Sequence, residues 1–198
     1  TFDRHMSITE TEAQIRRLRL RFDGYVFSPK LIYSIQLGFS GSDAKPTPNG
    51  TTNIVKDGII YYKPNSSWSI GFGQTKLKTN RARINSSSAL QFVDRSIVNS
   101  TFGGDRDFGL FGEYHRGGVD GFAFSFFASV TLGEGANWRK SSDNGLAYTG
   151  RVEFFPFGKF HAKGEYTEGD TYYEDSLKLM VGAGYSFNQN ACLGQGFK

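Results

Sequence analysis

The 198-residue chain reads as an all-β protein, a transmembrane antiparallel up-and-down β-barrel. Three observations point there. About eight segments, most roughly ten residues long, alternate apolar and polar side chains with a period of two. The connections between them alternate short and long, as turns and loops do at the two ends of a bacterial outer-membrane barrel. Aromatic residues gather beside the short connections, where amphipathic rings settle at a lipid–water boundary.

The first strand is expected over 17–25, with Leu18, Leu20 and Phe22 on one face and Arg17, Arg19 and Arg21 on the other. In the second, Tyr33, Ile35, Leu37 and Phe39 alternate with Ser34, Gln36, Gly38 and Ser40. The third surrounds Ile59, Ile60, Tyr61 and Tyr62, an unbroken apolar run whose facing is not assignable. In the fourth, Trp68, Ile70 and Phe72 oppose Ser69, Gly71 and Gly73. Phe108, Leu110 and Tyr114 then oppose Asp107, Phe111, Glu113 and His115. The sixth carries Phe122, Phe124, Phe126, Ala128, Val130 and Leu132 on one face. In the seventh, Tyr148, Val152 and Phe154 oppose Thr149, Arg151 and Glu153. In the last, Leu179, Val181, Ala183, Tyr185 and Phe187 oppose Lys178, Met180, Gly182, Gly184 and Ser186.

Short connections are expected at Ser28-Pro29, at Pro64-Asn65-Ser66 and at 116–120, all rich in turn formers. Long ones fall at 41–53, 75–105 and 134–145. The link 156–176 is longer than the alternation predicts, which an extension of the hairpin by 159–167 would accommodate.

Composition excludes several classes. The longest largely apolar uncharged run, 121–133, is too short for the roughly 20 residues of a membrane-spanning helix. Cys192 is the single cysteine, so no internal disulfide frame exists. With 16% aromatic residues the chain is not a disordered polymer. His5, His115 and His161 lack the spacing of metal ligands, and no Ser/His or carboxylate pair sits in a catalytic motif. The glycines at 103–104 and 117–118 lack the strand–loop–helix setting of a phosphate cradle. Neither an enzyme nor a cofactor is implied, and the basic residues are interleaved with an apolar face in a way that disfavours nucleic acid.

The formal net charge is +4, and residues 76–106 alone hold six basic side chains against Asp94 and Asp105. Within that stretch, Ser86, Ser87 and Ser88 offer helix N-caps ahead of 89–95. An eight-stranded lumen is filled by its own side chains and has little space for the 75–105 insert. The first clear strand also enters a short turn without an upward strand before it, and 1–12 read as a loop or remnant. These two features predict a fragment of a larger barrel.

Several runs resemble the phosphate-selective porin O and P family. They are Ile15–Phe22, Gly73-Gln74-Thr75-Lys76, Leu90–Ser96, Gly104–Leu110, Asn144–Gly158 and Gly182–Asn188, of which the last two are the more specific and look like the Bacteroidota version. The resemblance implies a porin barrel of roughly sixteen strands, often trimeric, of which this chain is about half, set in the bacterial outer membrane against lipid and lipopolysaccharide. It implies passive passage of small solutes, anions such as phosphate among them.

In a pore, function resides in lumen charges and in whatever narrows the lumen. The 75–105 insert is therefore expected to fold inward, bringing Lys76, Lys78, Arg81, Arg83 and Arg95 to the constriction, while Arg17, Arg19 and Arg21 form a ladder on the wall. Glu113, Glu153 and Asp107 would offset that charge. Solvated loop charges, or contacts to lipopolysaccharide phosphates, are the plainer reading of the same cations. The rival function is a non-conducting barrel acting as scaffold or partner in a larger envelope assembly.

Overall fold

Eight strands share one antiparallel sheet in the computed structural model of the chain. The structure describes residues 13, 15, 17–41, 43, 45–46, 52–87, 89–92, 95–97, 99, 104–137 and 145–189. Expectations for residues 1–12, His5, Gly103 and Cys192 lie outside them. The elements in order are β1 (Arg19–Val26), β2 (Ser28–Gly38), the two-residue β3 (Lys45–Pro46) and β4 (Thr52–Asn53), β5 (Val55–Tyr62), β6 (Trp68–Lys76), α1 (Arg81–Ile84), β7 (Arg106–Arg116), β8 (Ala123–Thr131), β9 (Ala147–Phe155), a 3₁₀ helix (His161–Tyr166) and β10 (Val181–Asn188). The main sheet runs β1-β2-β5-β6-β7-β8-β9-β10, and β3 pairs with β4 in a separate ribbon. The two terminal strands of the sheet, β1 and β10, do not pair with each other. No helix among the described residues is long and apolar enough to cross a membrane.

Neighbouring strands in the sheet are also consecutive long strands in sequence, so the topology is up-and-down. The first turn falls on Phe27, in the left-handed region at φ 61°, with Ser28-Pro29 already inside β2. The next is tied by the Asn65 side-chain oxygen, which accepts from the N–H groups of Ser67 and Trp68 at 3.0 and 2.9 Å. The third turns on Gly117, at φ 86°. At Gly73, φ is 137° and an added Cβ would strike the Gly58 carbonyl, so this close approach of β5 and β6 needs glycine.

The side chains sort in the reverse of a water-soluble core. Seven hydrophobic residues are buried among the described residues, against seventeen polar or charged ones. On β8, Ser125, Phe127, Ser129 and Thr131 are buried whereas Phe126 and Val130 are exposed. Leu18, Leu20 and Phe22, Trp68, Ile70 and Phe72, Phe108 and Leu110, and Tyr185 and Phe187 are exposed in the same way, as the alternation predicts. On β5 the facing resolves: Asp57, Ile59 and Tyr61 share the covered polar face, with Ile59 buried and Ile60 and Tyr62 exposed. An apolar exposed face is unfavourable in water and matched by lipid.

At the short-turn end, rings from successive strands touch. Trp68 meets Tyr114 at 4.7 Å between centroids, Tyr114 meets Phe124 at 5.6 Å, and Phe122 meets Phe154 at 6.5 Å. This row follows the boundary position that aromatic belts occupy.

Placing a charge in the middle of the apolar face tests the orientation. Phe126→Arg is expected to destabilise folding into lipid vesicles by about 2–4 kcal/mol. Ser129→Arg, one residue class across the same strand, should cost markedly less. Equal losses in urea titrations of the two variants would reverse the face assignment.

Candidate functional site on the polar face

The chain leaves β6 at Lys76 and folds back over the polar face instead of away from it. Leu77 packs with Ile59, Phe111 and Tyr61, the one apolar cluster among the described buried residues. The Lys78 ammonium lies 2.8 Å from Glu113 Oε1 and 4.2 Å from the Phe127 ring centroid. Farther along, an added Cβ at Gly184 of β10 would collide with the Thr79 carbonyl, so the segment reaches across the sheet to its far strand.

A single helical turn, α1, then forms. Asn80 caps it, its side-chain oxygen accepting from Arg83 N–H at 2.8 Å. Helix was expected after Ser86–Ser88 instead. There the chain makes bends, with Ala89 N–H donating to the Ser86 carbonyl, and Ser88, Val93 and Asp94 lie outside the described residues. The cap won earlier because Asn80 precedes a run of good helix formers, Arg81-Ala82-Arg83.

The candidate cations have distinct surroundings. Arg19 makes a bidentate pair with buried Asp43, both bonds 2.6 Å, and Lys56 completes the clasp at 3.0 Å. Hydrogen bonds from Arg19 hold the Asp43 carboxyl well below the ordinary carboxylate range. Arg21 pairs with Asp23 at 2.6 Å. Arg17 precedes β1 and is exposed, so the strand-borne part of the expected ladder is Arg19 and Arg21. Arg83 pairs with Asp105. Arg95 donates to the carbonyls of Ala82 and Asn85 at 2.7 Å each, bracing α1. Lys76 has no carboxylate within ion-pair distance among the described residues. Arg106, Arg83 and Arg95 act on it as like charges and Asp57 as an opposite one.

Sequence reasoning missed Asp43, Asp57 and Arg106 as site residues. Arg106 is buried, donating to both Asp57 oxygens at 2.9 and 3.2 Å and to Gln36 at 3.2 Å. The polar member of each alternating pair was the available signal, and it was hidden on β5 by the apolar run. His115 Nδ1 lies 2.9 Å from Ser125 Oγ and its Nε2 lies 3.5 Å from Glu113. Ser125 is buried, and of this cross-strand trio Glu113 lines the cavity beneath the loop. No group of three metal-ligating side chains occurs among the described residues.

The connection 156–180 does not lengthen its hairpin. It turns onto the polar face in 3₁₀ turns kinked at Ala162 and Lys163, where the Tyr166 hydroxyl donates to Glu153 at 2.6 Å and Arg151 meets the same carboxylate at 2.7 Å. It comes from the end of the sheet opposite to the 77–105 loop, and the two meet. Arg81 donates to the carbonyls of Glu165 and Thr167 at 2.9 Å each, and the Gln91 N–H donates to Glu168 at 2.8 Å. Between loop and sheet a cavity of about 330 Å³ remains, lined by Arg21, Lys76, Lys78 and Glu113, by serine and threonine hydroxyls and by apolar side chains.

A family model described as phosphate-selective porin O and P matches residues 3–189. No curated protein and no solved structure matches the chain.

Glu165 offers a titratable handle on the meeting point. Burial and the neighbouring Glu153 push its carboxyl above the ordinary value, against Lys159 and Lys163, and its Oε2 has no hydrogen-bond partner among the described residues. An acid raised in the folded state stabilises that state below its unfolded pKa, and the contribution is lost as pH rises through the folded value. Amides of 161–167 are therefore expected to exchange more slowly at pH 4 than at pH 7 after correction for intrinsic rates, and Glu165→Gln should abolish the difference. A pH dependence that survives Glu165→Gln would assign it to another group.

Proposed function

The chain belongs to the phosphate-selective porin O and P family, and on that premise we propose that it builds part of a passive, water-filled channel for small solutes in the bacterial outer membrane, preferring anions. In this reading the apolar face meets lipid and the polar face lines the lumen. The loop 77–105 and the strap 156–180 narrow it from opposite ends.

The observation that carries the anion preference is the Lys76 ammonium at the point where β6 gives way to the loop. Arg19, Arg21, Lys78, Arg83 and Arg106 each pair with a carboxylate, whereas Lys76 has none within ion-pair distance among the described residues. A surplus of cations beside a low-dielectric wall raises the local concentration of anions and repels cations. Binding must remain weak enough for release, which partly neutralised cations favour over a bare cluster. Nothing in this arrangement requires chemistry on the solute, so the reading is a channel and not an enzyme.

The contact of loop and strap supports a second reading, a barrel with a closed lumen that serves as scaffold or partner in an envelope assembly. The full-length protein in a planar bilayer under a potassium chloride gradient separates the two. Discrete conductance steps with an anion-directed reversal potential are expected, and the combined substitution of Lys76, Lys78 and Arg83 by Gln should move that potential toward cations. Selectivity should also shrink at 1 M salt, where the screening length falls to about 3 Å. An unchanged potential in the triple variant would remove these residues from the pathway. A correctly inserted but silent barrel would favour the scaffold.

A further inference from the structure

We propose that the cavity between the loop and the sheet is a binding site for a small amphipathic monoanion, an aryl or short alkyl carboxylate, in preference to inorganic phosphate. This rests on the polar face being the lumen of an anion-preferring channel, and adds which anions the lumen holds. The cavity, about 330 Å³, is of the size that takes small organic ligands.

Its walls are of two kinds. Ile59, Leu77, Ile84, Phe111 and Phe127 form an apolar wall, with Ile84 contributed by α1 and Leu77 by the loop. The Lys76 ammonium and the hydroxyls of Ser34, Thr75, Ser86, Ser87 and Ser129 make up the polar part. The other charges on the lining are already matched: Asp57 is held by Arg106, Glu113 by Lys78, Arg19 by Asp43 and Arg21 by Asp23. One ammonium without a carboxylate at ion-pair distance among the described lining residues suits one negative charge, whereas a phosphate dianion calls for several free forked donors. A strongly hydrated oxyanion would recover hydrogen bonds from the hydroxyls but none from the apolar wall. A carboxylate joined to a ring or short chain satisfies Lys76 at one end and the apolar wall at the other.

Sodium benzoate and sodium phosphate are the probes, titrated calorimetrically into the full-length protein folded in detergent micelles. Benzoate is expected to bind at least tenfold more tightly than phosphate. Lys76→Met should weaken benzoate by about tenfold, and Ile84→Ser by about fivefold. Ile84 lies off the sheet, so its variant decides the matter if Lys76→Met does not fold. Phosphate binding as tightly as benzoate, or benzoate binding untouched by both substitutions, overturns the proposal. Bilayer recordings keep the two readings apart: conductance without benzoate binding discards this site and leaves the channel. Benzoate binding in a silent barrel supports the site and discards the channel.

Discussion

A strand in lipid has no water to satisfy its backbone, so every N–H and C=O must enter a ladder and the side chains must sort outward by hydrophobicity. The rest of this structure follows from that constraint. Once rings and aliphatic chains occupy the outer face, the serines, threonines and charges are driven onto the other, where they crowd one another. Charges so placed are stabilised by matching and hydrogen bonding. Asp43, Asp57, Glu113 and Glu153 accordingly each sit in contact with a cation. The same constraint makes the edges of β1 and β10 sites where further strands must pair if the wall is to close.

Hydrophobic burial has a smaller and more local part. The cluster of Ile59, Leu77 and Phe111 does not hold the sheet together; it seats the loop upon it. Hydrogen bonds to backbone carbonyls then shape the loop, with Arg95 bracing α1 and Arg81 reaching the strap. Arginine suits this because its fork spans two carbonyls at once. The cations in this region are thus partly structural, and any selectivity arises from the difference between what holds the loop and what remains.

The faces of seven of the eight strands of the sheet were legible because one side chain in two changes character along each. The third in sequence, β5, was not. Its run Ile59-Ile60-Tyr61-Tyr62 is apolar on both sides because Leu77 covers one of them, a tertiary fact with no local trace. The loop cations stood out as a charge surplus, but their partners did not. Arg19 finds Asp43 at a separation of 24 residues, Arg106 finds Asp57 at 49, and Arg81 finds Glu165 at 84. The strap was read as extra hairpin because only its length was visible, and its length alone says nothing about the direction in which it turns.

The cross-tie between Arg81 and the Glu165 and Thr167 carbonyls also implies an order of assembly. Each hairpin closes over a short stretch of chain, but this tie joins segments 84 and 86 residues apart and has no ladder between them to bring them near. It can form only after β7, β8 and β9 have lined up to carry the strap back beneath the loop. The loop's own anchors, Ile59 and Phe111, sit on β5 and β7, nearer to it in the chain. The wall therefore precedes its contents, and the last piece to settle is the one that fastens the contents from below.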